Sequence, residues 1–211
     1  MQIFVFGDSI VWGAWDTEGG WVTRLKKHFN GKAVASEFKN YNEVINLGVS
    51  GNDTNNLLSR FENEITARIY PLIYPGETIG VIFAIGINDS QFINSENRYQ
   101  VSLEQFTINL KKLISLARKY TDKIVFVGLP PVDEASPVQR ETSYTNDSIK
   151  KYNLLIKNIC QKEKLDFIEI FDEFMKTDIS ELIADGLHPN DKGHEIIARI
   201  VEKYLQDKKW V

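Results

Sequence analysis

Residues 1–13 read MQIFVFGDSIVWG. A short apolar run, Ile3-Phe4-Val5-Phe6, stops abruptly at Gly7-Asp8-Ser9. Apolar residues at successive rather than alternate positions suit a strand covered on both faces, as in a parallel sheet flanked by helices. The glycine, carboxylate and hydroxyl that end it are either a polar turn or a strand end that delivers a nucleophile. The remainder of the chain has to decide between them.

Short apolar runs alternate with longer segments of helical period along the whole sequence. The predicted strands are Gln2–Phe6, Val44–Val49, Thr78–Ile85, Lys123–Leu129 and Asp166–Ile170. Helices fill the gaps. Trp21–Phe29 follows a glycine pair, and Asn55–Tyr70 follows Asp53 and Thr54, either of which can cap it. Leu103, Phe106, Leu110, Leu113 and Ala117 step by three and four behind Ser102. Asp147–Lys162 and Lys192–Gln206 carry similar stripes. The order βαβαβαβαβα implies right-handed crossovers and an α/β fold, a doubly wound parallel sheet with helices on both faces. No repeat or linker-like tract interrupts it, so residues 1–211 are expected to form one domain. Two connections, Asp89–Val101 and Pro130–Thr145, are long for such a fold, and both leave the carboxyl ends of strands.

The totals narrow the classes. A chain of 211 residues with 43% hydrophobic and 26% charged residues can bury a core without staples. Lys and Arg number 25 against 29 Asp and Glu, a formal net charge of −4, so no basic field invites nucleic acid or an anionic membrane. A single cysteine, Cys160, excludes an intrachain disulfide and reads as a packed thiol in a helix. No basic start with an apolar stretch and a small-residue cleavage site opens the sequence. Nothing approaches the roughly 18 consecutive apolar residues of a membrane span. The expectation is a soluble, cytoplasmic protein without stable membrane association.

In an open parallel sheet, ligands bind beyond the carboxyl ends of the strands. The residues past those ends are Gly7-Asp8-Ser9, Gly48-Val49-Ser50-Gly51-Asn52-Asp53, Gly86-Ile87-Asn88-Asp89 and, after a short polar segment, Asp185-Gly186-Leu187-His188-Pro189. A hydroxyl, a pliable backbone, a carboxamide and an Asp/His pair would meet on one edge. Acyl transfer uses this set. A serine is a poor nucleophile until a base takes its proton, an imidazole is the usual base, and a carboxylate fixes its tautomer. Ser9, His188 and Asp185 fill those roles. The tetrahedral intermediate needs N–H donors for its oxyanion, and the backbone N–H groups of Ser9 and Gly51 with the Asn88 amide can supply them.

These motifs resemble the SGNH hydrolases, also called the GDSL esterase/lipase family, whose name lists a Ser, Gly, Asn and His in four blocks. The blocks here are Gly7-Asp8-Ser9-Ile10, with isoleucine where the name has leucine, Asn46-Leu47-Gly48-Val49-Ser50-Gly51, Gly86-Ile87-Asn88-Asp89, and Asp185-Gly186-Leu187-His188-Pro189. They occur in the family's order and cover nearly the whole chain. The resemblance implies a flavodoxin-like three-layer α/β/α sandwich with five parallel strands. It also implies cofactor-free hydrolysis of esters or thioesters. It does not fix the substrate, because the family includes thioesterases, lysophospholipases, lipases, arylesterases and carbohydrate deacetylases.

Rivals exist for each residue. Gly48-Val49-Ser50-Gly51-Asn52 nearly spells the G-x-S-x-G nucleophile elbow, but Asn52 stands at the second glycine's place. Asp191-Lys192-Gly193-His194 is a second D-x-x-H. Asp185/His188 is favoured because Gly186 permits a tight turn and Pro189 keeps His188 out of a helix. His194 is expected on a solvated first turn of the last helix, and His28 on a solvated basic helix. Asp8 and Asp89 are expected to hold loops through backbone hydrogen bonds. Asp8, Asp53, Asp89 and Asp185 are scattered, and no metal-ligand spacing appears, so no metal is expected. Trp12, Trp15, Phe92 and Tyr144 are packing or lid aromatics, or they wall a substrate pocket. A flavodoxin-like binding protein would need a phosphate loop rich in Ser, Thr and Gly, whereas Asp8, Ile10, Val11 and Trp12 stand there. The polar loop Asp89–Val101 and the absence of an apolar lid helix favour a small-molecule ester with a short-chain or sugar-borne acyl group.

Overall fold

The computed structural model describes residues 1–69, 78–136 and 141–211. Residue 70, the end of the predicted second helix, and residues 137–140 of the second long connection lie outside them. The strands are β1 (Gln2–Gly7), β2 (Glu43–Gly48), β3 (Ile79–Ala84), β4 (Phe92–Ile93), β5 (Arg98–Tyr99), β6 (Ile124–Val127), β7 (Thr142–Ser143) and β8 (Asp166–Ile168). The helices are α1 (Ser9–Trp12), α2 (Gly20–Ala35), α3 (Thr54–Thr66), α4 (Leu103–Ala117), α5 (Asn146–Glu163), α6 (Phe171–Phe174) and α7 (Asp191–Asp207).

Five of the strands form one parallel sheet in the order β2-β1-β3-β6-β8, a doubly wound arrangement. The strand order reverses beside β1, so the carboxyl end of the opening strand stands at the crevice where such sheets bind ligands. Register brings Gly7, Gly48 and Ala84 abreast at that end. All residues of β1 and β6 are buried. The sheet's edges differ from the sequence expectation of uniform two-sided burial. In β2 only Val44 and Leu47 are buried, because an edge strand is covered less completely. Phe6, Phe61, Phe83 and Phe126 form a chain of ring contacts across β1, α3, β3 and β6, with centroids 4.7 to 5.9 Å apart.

Local signals set the helix starts. Asp53 and Asn56 cap α3 reciprocally, the Asp53 carboxylate accepting from Asn56 N at 3.0 Å and the Asn56 side chain from Asp53 N at 3.1 Å. Ser102, Thr145 and Asn190 cap α4, α5 and α7. The first long helix extends beyond its predicted end at Phe29 to Ala35, since Ala33 continues its buried face. Described parts of the two long connections supply β4, β5 and β7, a small antiparallel sheet in the order β5-β4-β7. Two-residue strands are too short to leave a period in the sequence.

One expectation is corrected. His194 is in the first turn of α7 but is fully buried, not solvated. It belongs to the helix's inner stripe with Ile197, Ala198, Val201 and Leu205, which faces the body of the fold.

Candidate active site

β1 can turn directly into α1 because Gly7 has no side chain. A Cβ there would lie 2.2 Å from both the Ala84 carbonyl oxygen and Val11 Cγ2. Asp8 then caps α1, its Oδ1 accepting from Ile10 N at 2.9 Å. Burial pushes the Asp8 carboxyl up to about 7 against the pull of its backbone donors. Ser9 is the first residue of the helix, 7% exposed, with an N–H that has no acceptor within the helix.

The Asp185–His188 segment is a tight loop closed by the Ile183–Pro189 bridge and by Ala184 N donating to His188 O at 2.8 Å. Gly186 takes φ 86°, a conformation that suits glycine and lets the chain fold back on itself. As a result, Asp185 Oδ1 accepts from Leu187 N at 3.0 Å and His188 N at 2.8 Å. Its Oδ2 meets His188 Nδ1 at 2.8 Å and accepts from Trp15 Nε1 at 2.7 Å. Burial opposes ionisation, but these four donors together hold the carboxyl at about 2. A carboxylate on Nδ1 leaves the Nε2 lone pair facing outward, and Nε2 lies 2.9 Å from Ser9 Oγ. Ser9, His188 and Asp185 therefore form one hydrogen-bonded chain.

The rival residues have other surroundings. Both ring nitrogens of His188 are engaged by Ser9 and Asp185. Those of His194 are engaged by Trp21 N at 3.3 Å and the Ala14 carbonyl at 3.0 Å. Ser50 is exposed in the turn after β2 and has neither imidazole. His28, expected to be solvated, is half-buried and pairs with Glu202 of α7 at 3.0 Å.

Gly51 lies in the turn closed by Asn52 N donating to Val49 O at 3.2 Å. Asn88 reaches the same turn, its Nδ2 donating to Asn52 O at 2.9 Å, while its Oδ1 accepts from Tyr144 Oη at 3.3 Å. With the oxygen engaged by Tyr144, the amide keeps a second N–H to offer. Asp89 is buried and accepts from Thr54 N and Thr54 Oγ1, and burial raises its carboxyl to about 7. Of the aromatic candidates, Tyr144 is tied to Asn88, and Phe92 packs edge-on against Tyr99 in the small sheet, centroids 5.4 Å apart. Trp12 and Trp15 are not core residues: they are 57% and 60% exposed.

Sequence reasoning missed Arg60. Its guanidinium donates to Asn52 Oδ1 at 2.8 Å, Gly7 O at 3.0 Å and Leu47 O at 2.9 Å, clasping the ends of β1 and β2 to the Gly51 turn. A signal was present. Arg60 stands beside Leu57, Phe61 and Ile65, the buried stripe of α3, where an unpaired charge would not be tolerated. The Trp15–Asp185 bond was also missed, since it joins residues 170 positions apart. Among the described residues, no group of three or more His, Cys, Asp or Glu side chains is arranged to hold a metal ion. No helix among them is long and apolar enough to cross a membrane.

The model of the GDSL-like lipase/acylhydrolase family matches residues 5–196. The chain is 28% identical to a GDSL esterase/lipase (CPRD49) of Arabidopsis thaliana, over 99% of this chain and 80% of that protein. It is 25% identical to an isoamyl acetate-hydrolyzing esterase 1 homolog of Bos taurus, over 93% and 78%. It is also 25% identical to an acetylxylan esterase of Geobacillus stearothermophilus, over 74% and 68%. Among solved structures, a lipase/acylhydrolase from Enterococcus faecalis shares the fold with a TM-score of 0.76 at 21% identity, covering 98% of this chain and 96% of that one.

Proposed function

The chain belongs to the GDSL-like lipase/acylhydrolase family, and from that premise we propose that it is a serine carboxylic ester hydrolase acting on short or sugar-borne acyl groups through Ser9, His188 and Asp185. The observation that carries this reading is the continuous relay, Ser9 Oγ to His188 Nε2 at 2.9 Å and His188 Nδ1 to Asp185 Oδ2 at 2.8 Å. Asp185, held ionised, keeps the neutral imidazole in the tautomer with its proton on Nδ1. Nε2 takes the Ser9 proton as Oγ attacks the ester carbonyl. The carbonyl oxygen gains negative charge and is met by the N–H groups of Ser9, Gly51 and Asn88. His188 then passes the proton to the leaving alkoxide oxygen, and the acyl group stays on Ser9. A water that gives its proton to His188 attacks that acyl group, and His188 returns the proton to Ser9 Oγ as the acyl–oxygen bond breaks and the acid leaves.

Two features support short acyl groups. Two relatives are named for acetyl esters, isoamyl acetate and acetylxylan. Among the described residues, the two long connections supply the small β4-β5-β7 sheet, joined by Gln91 Nε2 donating to Thr142 Oγ1 at 2.6 Å and tied to Asn88 through Tyr144 Oη, and no apolar lid helix. The test is a hydrolysis panel of p-nitrophenyl esters from C2 to C16, with acyl-CoA and acetylated xylose sugars included. The expected kcat/KM is highest at C2–C4 and on acetylated sugars, and dominant activity at long chains or on acyl-CoA would refute the substrate assignment.

The oxyanion role has its own test. Asn88→Ala removes one preorganised donor from the transition state, so kcat on p-nitrophenyl acetate is expected to fall about 10²–10³-fold with KM little changed. A fall in affinity alone would place Asn88 in substrate binding instead.

A further inference from the structure

Resting on that reading of Ser9, His188 and Asp185, we propose that Trp15 is a positioning residue for Asp185, and that the second D-x-x-H, Asp191 with His194, holds it there. Three of the four donors on the Asp185 carboxylate come from its own loop, Leu187 N, His188 N and His188 Nδ1. The fourth, the Trp15 indole N–H at 2.7 Å, comes from the segment that follows the nucleophile helix. It shares Oδ2 with His188 Nδ1, so it fixes the plane of the carboxylate at the oxygen the imidazole uses. Its ring also meets the His188 ring edge-on, centroids 6.1 Å apart and planes at 88°. A carboxylate free to turn would release Nδ1 and lose the tautomer that leaves Nε2 bare.

The backbone gives independent support. Trp15 has φ 64°, in the left-handed region that a bulky side chain avoids. Strain of this kind persists only where the surroundings enforce it. Burial does not enforce it, because the side chain is 60% exposed. The neighbours do. Ala14 O accepts from His194 Nε2 at 3.0 Å. Asp16 is gripped by the forked Arg24 guanidinium, 2.8 Å from Nε and 2.7 Å from Nη2. Thr17 N and Oγ1 donate to the Asp191 carboxylate at 2.8 and 2.7 Å. His194 is a fixed hinge pin in this arrangement. Nδ1 accepts from Trp21 N and Nε2 donates to the Ala14 carbonyl, the pattern of a neutral ring, and burial favours that form by lowering its pKa. The two D-x-x-H motifs thus divide the work, the first relaying protons and the second holding the loop that steadies the first.

The test compares Trp15→Phe, Trp15→Gly and Asp191→Ala with wild type and Ser9→Ala, using p-nitrophenyl acetate kinetics and thermal melts. Loss of one hydrogen bond to a charged group predicts a fall in kcat of about ten- to a hundredfold for both Trp15 variants. KM is expected to stay within about twofold, and Asp191→Ala to show a smaller fall in kcat. Trp15→Gly relieves the φ strain but loses the indole hydrogen bond and the ring contact with His188, so melts serve only to show that both Trp15 variants are folded at the assay temperature. In ¹H–¹⁵N spectra, the indole signal absent from Trp15→Phe is expected downfield in wild type and displaced in Asp185→Asn. Wild-type kcat in both Trp15 variants overturns the proposal. So does a raised KM with kcat unchanged, which would make Trp15 a pocket wall. An indole signal indifferent to Asp185 also overturns it. Unchanged kcat in Asp191→Ala overturns the tether. Retained activity in Ser9→Ala, by contrast, defeats the catalytic reading itself.

Discussion

Ser9→Ala is expected to lower kcat on p-nitrophenyl acetate by about 10⁴–10⁶-fold while leaving a folded protein. The substitution removes one oxygen. The cap on α1 belongs to Asp8 and Ile10 N, and the turn out of β1 depends on Gly7, so neither is touched. What is lost structurally is the hydrogen bond to His188 Nε2, worth about 1 kcal/mol. For a chain of this size that corresponds to a Tm change of about 2–4 °C. Chemically, nothing replaces the oxygen. The imidazole would have only water to deprotonate, and residual rate would come from the oxyanion donors and substrate binding. The measurement is steady-state turnover beside a thermal melt of the same preparation. A variant that keeps turnover would return the nucleophile question to Ser50, which lacks an imidazole partner in this fold.

How far the sequence foretold this arrangement depends on the range of the interaction involved. The parallel sheet was legible because β1, β3 and β6 are buried on both faces and read as unbroken apolar runs. Their order in the sheet is that of the flavodoxin-like arrangement which the resemblance to the SGNH hydrolases implied. The Asp185–His188 loop was legible because its contacts are local, a carboxylate three residues from its imidazole with a glycine between. His194 was misread for a related reason. The D-x-x-H spacing drew attention to its neighbour Asp191, whereas the stripe it shares with Ile197 and Val201 was the stronger statement about its burial. Trp15 and Arg60 act across elements distant in sequence, and no periodicity encodes which carbonyl or carboxylate they reach. The β4-β5-β7 sheet escaped because two-residue strands are defined by their partners rather than by their own pattern.

Asp185→Asn should be nearly as damaging as loss of the nucleophile, about 10⁴-fold in kcat, and the hydrogen-bond pattern explains why. Each carboxylate oxygen takes two donors: Leu187 N and His188 N on Oδ1, His188 Nδ1 and Trp15 Nε1 on Oδ2. An asparagine has one acceptor oxygen. If that oxygen stays with the two backbone N–H groups, the amide nitrogen faces Nδ1–H and the Trp15 indole, donor against donor. The imidazole escapes by moving its proton to Nε2, and it then presents a hydrogen to Ser9 instead of a lone pair. If the amide flips, the two backbone donors of the loop lose their acceptor and the loop that carries His188 loosens. The first arrangement removes the base without moving its Cα, and the second keeps the tautomer but misplaces the base. Raising the pH does not restore it, because the neutral imidazole is already in the wrong tautomer or the wrong place. A pH–rate profile of the variant should therefore stay low across the alkaline limb, where wild type reaches its plateau. Recovery of wild-type rate at high pH would mean that Asp185 serves only to tune the proton affinity of His188 and not to choose which nitrogen carries the proton.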